Sequence, residues 1–363
     1  MRKFCVFCGQ APEEKNREHV IPKWLIELTG DPKRIARFGI TFEKPFRLRE
    51  FSFDALVFPA CASCNTRFGL LEEQIRPLFS KLLSYEPISQ NELITLLDWL
   101  DKIRVGLWLG YLYLDKNPFG INPNFHVESR LGRSDRMLST LKADHQGKGL
   151  SFVGPSFKGY QLSPTCFALR INELWLVNAA GVSLCSQRLG FPYLEPVQIR
   201  EDNKLEAHLK HGSERIMIPL ERRLPLPRSV SIYQPVFRAF IDLKEEQFLQ
   251  SEWVKARTAN GELGYGRLFL QRENSVQMYP EEASGLWVPV ETWNGIDTLR
   301  ELGVYVHRRI HEDCSNGPRL ATSTPQRKRM RMHGALAKMA DRSLLKNLAK
   351  SLKESARETG NDP

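Results

Sequence analysis

Cys5-Val6-Phe7-Cys8 near the start of the chain, and Cys61-Ala62-Ser63-Cys64-Asn65 further on, are the stretches that decide how the N-terminal part folds. Each Cys-x2-Cys pair presents two thiolates from one tight turn, and two such pairs make the ligand set of a closed tetrahedral zinc site. Cys5, Cys8, Cys61 and Cys64 are therefore read as ligands of one structural Zn2+. A site closed by four thiolates stabilises a fold but keeps no open position for chemistry. The groups that could react lie around it: Glu18 and His19, in Arg17-Glu18-His19-Val20-Ile21-Pro22, and Asn65, directly after the last cysteine.

Taken together, Cys5 to Cys8, Arg17 to Trp24 and Cys61 to Asn65 resemble the HNH endonuclease family, in its four-cysteine zinc subclass, over about a fifth of the chain. The resemblance implies a zinc-stabilised, treble-clef-like ββα-metal finger, in which a β-hairpin and a helix wrap a divalent cation. It implies His19 as the general base that activates water. Glu18 and Asn65 would be ligands of a catalytic Mg2+ or Mn2+, with the four cysteines on the structural zinc. The family commonly carries His or Asn near the position of Glu72, so Glu72 is a departure. It is read as a third ligand, a carboxylate behind the ligands, or a solvated helix residue.

The residue types suit phosphodiester hydrolysis on chemical grounds as well. A histidine with a pKa near about 6.5 can take a proton from water at neutral pH. A hard cation held by one or two oxygen ligands offsets the charge that develops on phosphate. Neighbours on a strand point to opposite faces, so Glu18 and His19 reach one cation only through a bend or a water. Pro22 keeps that strand short. Asn65 is expected to cap a helix from Thr66 to about Leu83, and Arg67 is either a phosphate clamp or a solvated surface residue. Against all this stands a zinc ribbon that binds without catalysing, for which Glu18, His19 and Asn65 are coincidental.

Composition sets wide bounds. At 363 residues, with 42% hydrophobic and 26% charged residues, the chain has the make-up of a globular protein of two or more domains. Seven cysteines are an odd number, which fits zinc ligands and thiols in a reducing cytoplasm better than a disulfide framework. Cys166, Cys185 and Cys314 are expected to be buried thiols. The first residues lack the apolar core of a signal peptide, and the longest apolar run, Val105 to Leu114, is too short to span a bilayer, so no membrane role is expected. The formal charge of +10 points to a polyanionic partner. Most of that excess sits at the C-terminal end, where Gln326 to Pro363 holds ten Lys/Arg against four Asp/Glu. Met1 to Ile75 holds twelve against ten, so the finger itself is only mildly basic.

The pattern of apolar residues divides the chain into a finger (1–83), a helical connector (84–116), a mixed α+β region (117–315) and a basic tail (316–363). Leu93, Leu96, Leu97, Leu100, Ile103, Leu107 and Trp108 give a helix over Asn91 to Leu114, with Asp98, Asp101, Lys102 and Arg104 making its first half amphipathic. Phe167, Leu169 and Ile171, then Leu174 and Leu176, then Val182 and Leu184 beyond Asn178-Ala-Ala-Gly181, read as antiparallel strands joined by a turn. Further strand-like runs fall at Val230 to Ile241, Leu268 to Arg272 and Leu286 to Val290. Arg130, Arg133 and Arg136 are a phosphate track or a solvated loop. His307, His311 and Cys314 have metal-ligand spacing but no evident fourth ligand. Arg327, Lys328, Arg329 and Arg331 form a basic arm for nucleic acid, followed by a basic amphipathic helix over Ala335 to Glu358.

These readings point to a cytoplasmic, metal-dependent endonuclease acting on DNA. An RNA-directed nuclease of the same mechanism stays open, because phosphate is common to both polymers. Protein partners are expected through the α+β region or the C-terminal helix.

Overall fold

The computed structural model describes residues 4–12, 16–40, 48–114, 134–143, 147–155 and 164–181, with isolated positions and short strands between 127 and 293. Strand β1 (Asn16–His19) pairs antiparallel with β4 (Val57–Ala60), Asn16 opposite Ala60 and His19 opposite Val57. Between them the chain forms helix α1 (Lys23–Leu28), the hairpin of β2 (Ile35–Ile40) and β3 (Leu48–Ser52), and a single 3-10 turn (Phe53–Ala55). Two long helices follow, α2 (Ala62–Leu83) and α3 (Gln90–Leu114).

Helix α2 begins four residues earlier than Asn65 as cap predicts. Cys61 is the N-cap, and Asn65 lies one turn inside, its N–H donating to the Cys61 carbonyl at 2.9 Å. The helix start is set by the thiols, since both cysteines of the pair must leave one helical end to meet a single ion. Helix α3 opens on a reciprocal capping box. The Glu92 N–H donates to Ser89 Oγ (3.1 Å), and the Ser89 N–H donates to Glu92 Oε2 (2.6 Å).

From Asp101 to Leu112 every residue of α3 is buried, so the helix is not amphipathic in the way its charges suggest. Asp101, Lys102 and Arg104 are only 1–3% exposed. They can be buried because each is paired, and an unpaired buried charge is costly. The Arg104 guanidinium donates to Asp101 (2.6 Å), to the Pro164 carbonyl (2.6 Å) and to the side chain of Asn178. Arg136 pairs with Asp98 and, at 3.6 Å, with Asp101. Arg136 is thus a buried strut between helix and sheet, neither phosphate track nor solvated loop.

The sheet that receives α3 is built on β5 (Asp135–Ala143), β6 (Leu150–Val153), β7 (Cys166–Ile171) and β8 (Leu174–Gly181). Four two-residue strands, β9 (Tyr193–Leu194) to β12 (Leu209–Lys210), pair among themselves, β9 with β12 and β10 (Gln198–Ile199) with β11 (Leu205–Glu206). Strands β13 (Val230–Ile232), β14 (Leu268–Arg272) and β15 (Ser275–Met278) extend the main sheet in the order β15-β14-β13-β5-β8-β7-β6. The second half of β5 also pairs, in parallel, with β16 (Val290–Trp293). The described chain is thus a mixture of helix and strand, α+β as the sequence indicates.

The β7–β8 turn falls at Asn172-Glu173, where Asn172 takes φ +54°. Asn tolerates that conformation better than most residues, and here its Oδ1 also accepts from the distant Gly149 N–H at 3.1 Å. Asn178-Ala-Ala-Gly181 is not a turn but the interior of β8. Asn178 is fully buried there because its side chain bridges Arg104 and the Met137 carbonyl (3.2 Å). Cys166 is buried and in no disulfide. Among the described residues no helix is long and apolar enough to cross a membrane.

The finger residues and α3 share one core, and at two points of close approach α3 offers no side chain. A Cβ at Gly106 would stand 2.7 Å from Val20 Cγ1, and one at Gly110 would run into the ring of Phe58. Val20 follows β1 and Phe58 lies in β4, so these two glycines set how closely the β1–β4 pair approaches the helix.

Candidate metal centre and acid-histidine site

The four cysteines come together from opposite ends of the finger. Cys5 and Cys8 sit on a turn in which the Gly9 N–H donates to the Cys5 carbonyl (2.9 Å), with Gly9 at φ +77°. The Val6 N–H donates to the Pro59 carbonyl at 2.9 Å, which docks this turn on β4 just before Cys61. All four ligand atoms then lie within 4.8 Å of one another. Cys8 Sγ and Cys61 Sγ are 3.9 Å apart. A tetrahedron with metal–sulfur bonds of about 2.3 Å has edges of about 3.8 Å, so this donor set fits a metal such as zinc.

Burial pushes the Cys5 thiol up, but backbone N–H groups of Cys8, Cys61 and Phe7 outweigh it and hold Cys5 below the ordinary thiol value. Cys61 and Cys64 are pushed up to about 12, first by burial and then by the thiols beside them. Thiols this close ionise together only when a cation takes up their charge, so metal binding here releases protons. Arg67 leans over this cluster, its guanidinium 4.0 Å from Cys64 Sγ and 5.3 Å from the Phe68 ring centroid.

His19 ends β1 with Nε2 3.2 Å from the backbone carbonyl oxygen of Asp54. A carbonyl only accepts, so Nε2 carries the hydrogen and Nδ1 of the neutral ring keeps its lone pair. Asp54 is held in turn by its N–H to the Pro32 carbonyl (3.2 Å) and by the neighbouring Phe53 N–H to the Arg34 carbonyl (3.2 Å). Arg34 locks that corner. Its guanidinium lies 4.7 Å from the Phe53 ring centroid and donates to the carbonyls of Ile26 (3.1 Å) and Asp31 (2.6 Å) and to Thr29 Oγ1 (2.6 Å).

Glu18 points away from His19, as alternation along a strand requires, and meets a residue outside the motif. Lys102 Nζ is 2.9 Å from Glu18 Oε1 and also bonds Glu72 Oε1. The lysine side chain is 1% exposed, Glu18 13% and Glu72 17%, so Glu72 is not a solvated helix residue. Burial holds the Glu72 carboxyl above its ordinary value, with Lys102 opposing the shift and Glu18 adding to it. Of the residues expected to hold a catalytic cation, Glu18 has its Oε1 bound to Lys102. Glu72 has its Oε1 committed to Lys102. Among the described residues, the four thiols are the one group of three or more His, Cys, Asp or Glu ligands that converge.

Arg327, Lys328, Arg329 and Arg331, and the set His307, His311 and Cys314, lie outside the described residues. The sequence reading missed Lys102 and the Asp54 carbonyl. A signal for the first exists in hindsight, since Lys102, Gly106 and Gly110 recur every four residues on one helix face. Nothing in the sequence marks the second, because any residue could supply a carbonyl. Comparison of the chain with protein-family models, with curated proteins and with solved structures finds no match.

Proposed function

We propose that the chain is a metal-dependent endonuclease of the HNH type, acting on DNA, with His19 as general base and a structural zinc on Cys5, Cys8, Cys61 and Cys64. The observation that carries this reading is the contact of His19 Nε2 with the Asp54 carbonyl, which leaves Nδ1 as the basic nitrogen of the oriented ring. A ring held through one nitrogen is oriented, and its other nitrogen can accept a proton from water at neutral pH. Glu18 and Asn65 would hold a divalent cation such as Mg2+ or Mn2+, which when bound supplies positive charge to the phosphate oxygens as they gain negative charge. Asn65 stands in the first turn of α2, where backbone N–H groups and the helix dipole favour an anion. The basic arm of Arg327, Lys328, Arg329 and Arg331 adds phosphate contacts that carry affinity and no chemistry.

The test is cleavage of plasmid DNA, and of RNA in parallel, in Mg2+, in Mn2+ and in EDTA, with His19→Ala beside the wild type. Removing the base should slow single-turnover cleavage on the order of a hundredfold or more with zinc content and DNA binding near wild type. If His19→Ala cuts as fast as wild type, the nuclease mechanism is wrong. Faster cutting of RNA than of DNA would change the substrate and keep the mechanism. The second reading, a zinc module that binds nucleic acid or protein without catalysis, is favoured by one observation: Glu18 already has a cation in Lys102.

A further inference from the structure

Lys102 is the one buried lysine among the described residues. It belongs to α3, outside the cysteine and histidine motifs, and shares a helix face with Gly106 and Gly110. The missing side chains of those glycines let α3 lie against Val20 and Phe58, and that closeness brings the ammonium into the finger. There it meets three parts at once: Glu18 on β1, Glu72 on α2, and the ring of Phe7 between the first two cysteines, 5.6 Å from its centroid. Two carboxylates converging on one positive charge is also an arrangement that a divalent cation satisfies.

We propose that the Lys102 ammonium occupies the place between Glu18 and Glu72, in the candidate nuclease site, that a divalent cation would otherwise take. It rests on the nuclease reading for its purpose but not for its geometry. Lys102 holds Glu18 through Oε1 and so competes with a divalent cation for that carboxylate. Glu72 is then the counter-ion of Lys102 and not a ligand. Glu18, Glu72 and Lys102 together carry one net negative charge where the acids alone would carry two, which lessens the repulsion of an approaching phosphate. The site is therefore completed by α3, and the first 83 residues do not contain all of it.

The test uses full-length, zinc-loaded protein and Mn2+ as the probe, with free Mn2+ read by electron paramagnetic resonance and plasmid cleavage followed alongside. Lys102→Met keeps the length of the side chain and removes the charge. The acid pair then lacks its cation, so Mn2+ should bind about tenfold tighter or more than to wild type, with zinc stoichiometry unchanged. Because Lys102→Met leaves two unbalanced acids that could unfold the protein, Glu72→Gln is also compared with Lys102→Met/Glu72→Gln. Removing the ammonium should again tighten Mn2+ binding, since nothing then competes for Glu18. Equal Mn2+ affinity within each pair, in protein with native circular dichroism, overturns the proposal and leaves Lys102 a packing role. The plasmid assay keeps the two failures apart. Wild-type protein that never cuts, and that behaves like His19→Ala, sinks the nuclease reading, while the Mn2+ affinities still decide the place of Lys102.

Discussion

At the scale of single residues, one finger does two jobs with different atoms. Its four thiols could hold a metal ion, and its His19 ring is oriented by the Asp54 carbonyl for the proposed role of base. The thiols are the more fragile part, because a site absent from the unfolded chain makes metal-binding energy into folding energy. Cys61 is both a ligand and the N-cap of α2, and its N–H donates to Cys5 Sγ at 3.3 Å. Cys61→Ser should therefore bind zinc at well below one ion per chain and lose near-ultraviolet circular dichroism from the finger, whereas Cys166→Ser, remote from the cluster, should keep its zinc. A Cys61→Ser protein with full zinc and an unchanged unfolding midpoint would contradict the four-thiol assignment. The ligand residues were legible in the sequence because spacing alone pairs them. The partner of His19 was not, since the Asp54 carbonyl comes from 35 residues away in a turn with no motif of its own.

Among the elements, α3 is the one on which the others depend, and its start carries a pH-sensitive device. Burial works against ionisation of Glu92, but Lys81 (2.6 Å) and the Ser89 N–H and hydroxyl outweigh it and hold the carboxyl below its ordinary 4.5. A carboxyl lowered on folding contributes stability that is present above the unfolded value and is lost as pH falls through the folded one. Wild-type protein should thus lose part of its stability on acidification from about pH 5 to about pH 3. Glu92→Gln can still close the capping box and should show less of that slope in urea unfolding, while Ser89→Ala should lower stability by about 1 kcal/mol at neutral pH. An acid slope identical in wild type and Glu92→Gln would remove Glu92 from the account. The helix was legible from its apolar period, and its capping box Ser89-Gln-Asn-Glu92 was legible too, as spacing. Its charges misled. Asp101, Lys102 and Arg104 look like a solvated face until the partners that bury them, Glu18, Glu72, Asn178 and Arg136, arrive from other parts of the chain.

Over the whole molecule, the finger and the sheet are joined through α3, which is charged on both sides of its buried half. Lys102 faces the finger, and Arg104, nearly opposite on the helix, faces β8. Losing one partner from a buried ion pair such as that of Lys102 with Glu18 and Glu72 costs about 3–5 kcal/mol, so that contact fixes how helix and finger meet even where it adds little net stability. The glycine notch has the same role by shape. Gly110→Ala places a methyl group into the Phe58 ring, and overpacking of this kind should destabilise the protein by about 1–3 kcal/mol. On the proposed nuclease reading, the same change should lower plasmid cleavage without loss of zinc. A Gly110→Ala protein as stable as wild type would mean that β4 stands further from the helix than described.

What the sequence determined by itself is what local chemistry encodes. Two cysteine pairs name their ligands by spacing, apolar periods give α2, α3 and strands such as Leu268–Arg272, and Asn172 permits the turn where β7 becomes β8. What only the tertiary structure decided depends on residues far apart in the chain. Glu18 and Lys102 are separated by 84 positions, and Arg104 and Asn178 by 74. Periodicity says which face of an element is apolar, but a buried charge is stable only through a partner that the fold supplies, so its place cannot be read before the fold is known.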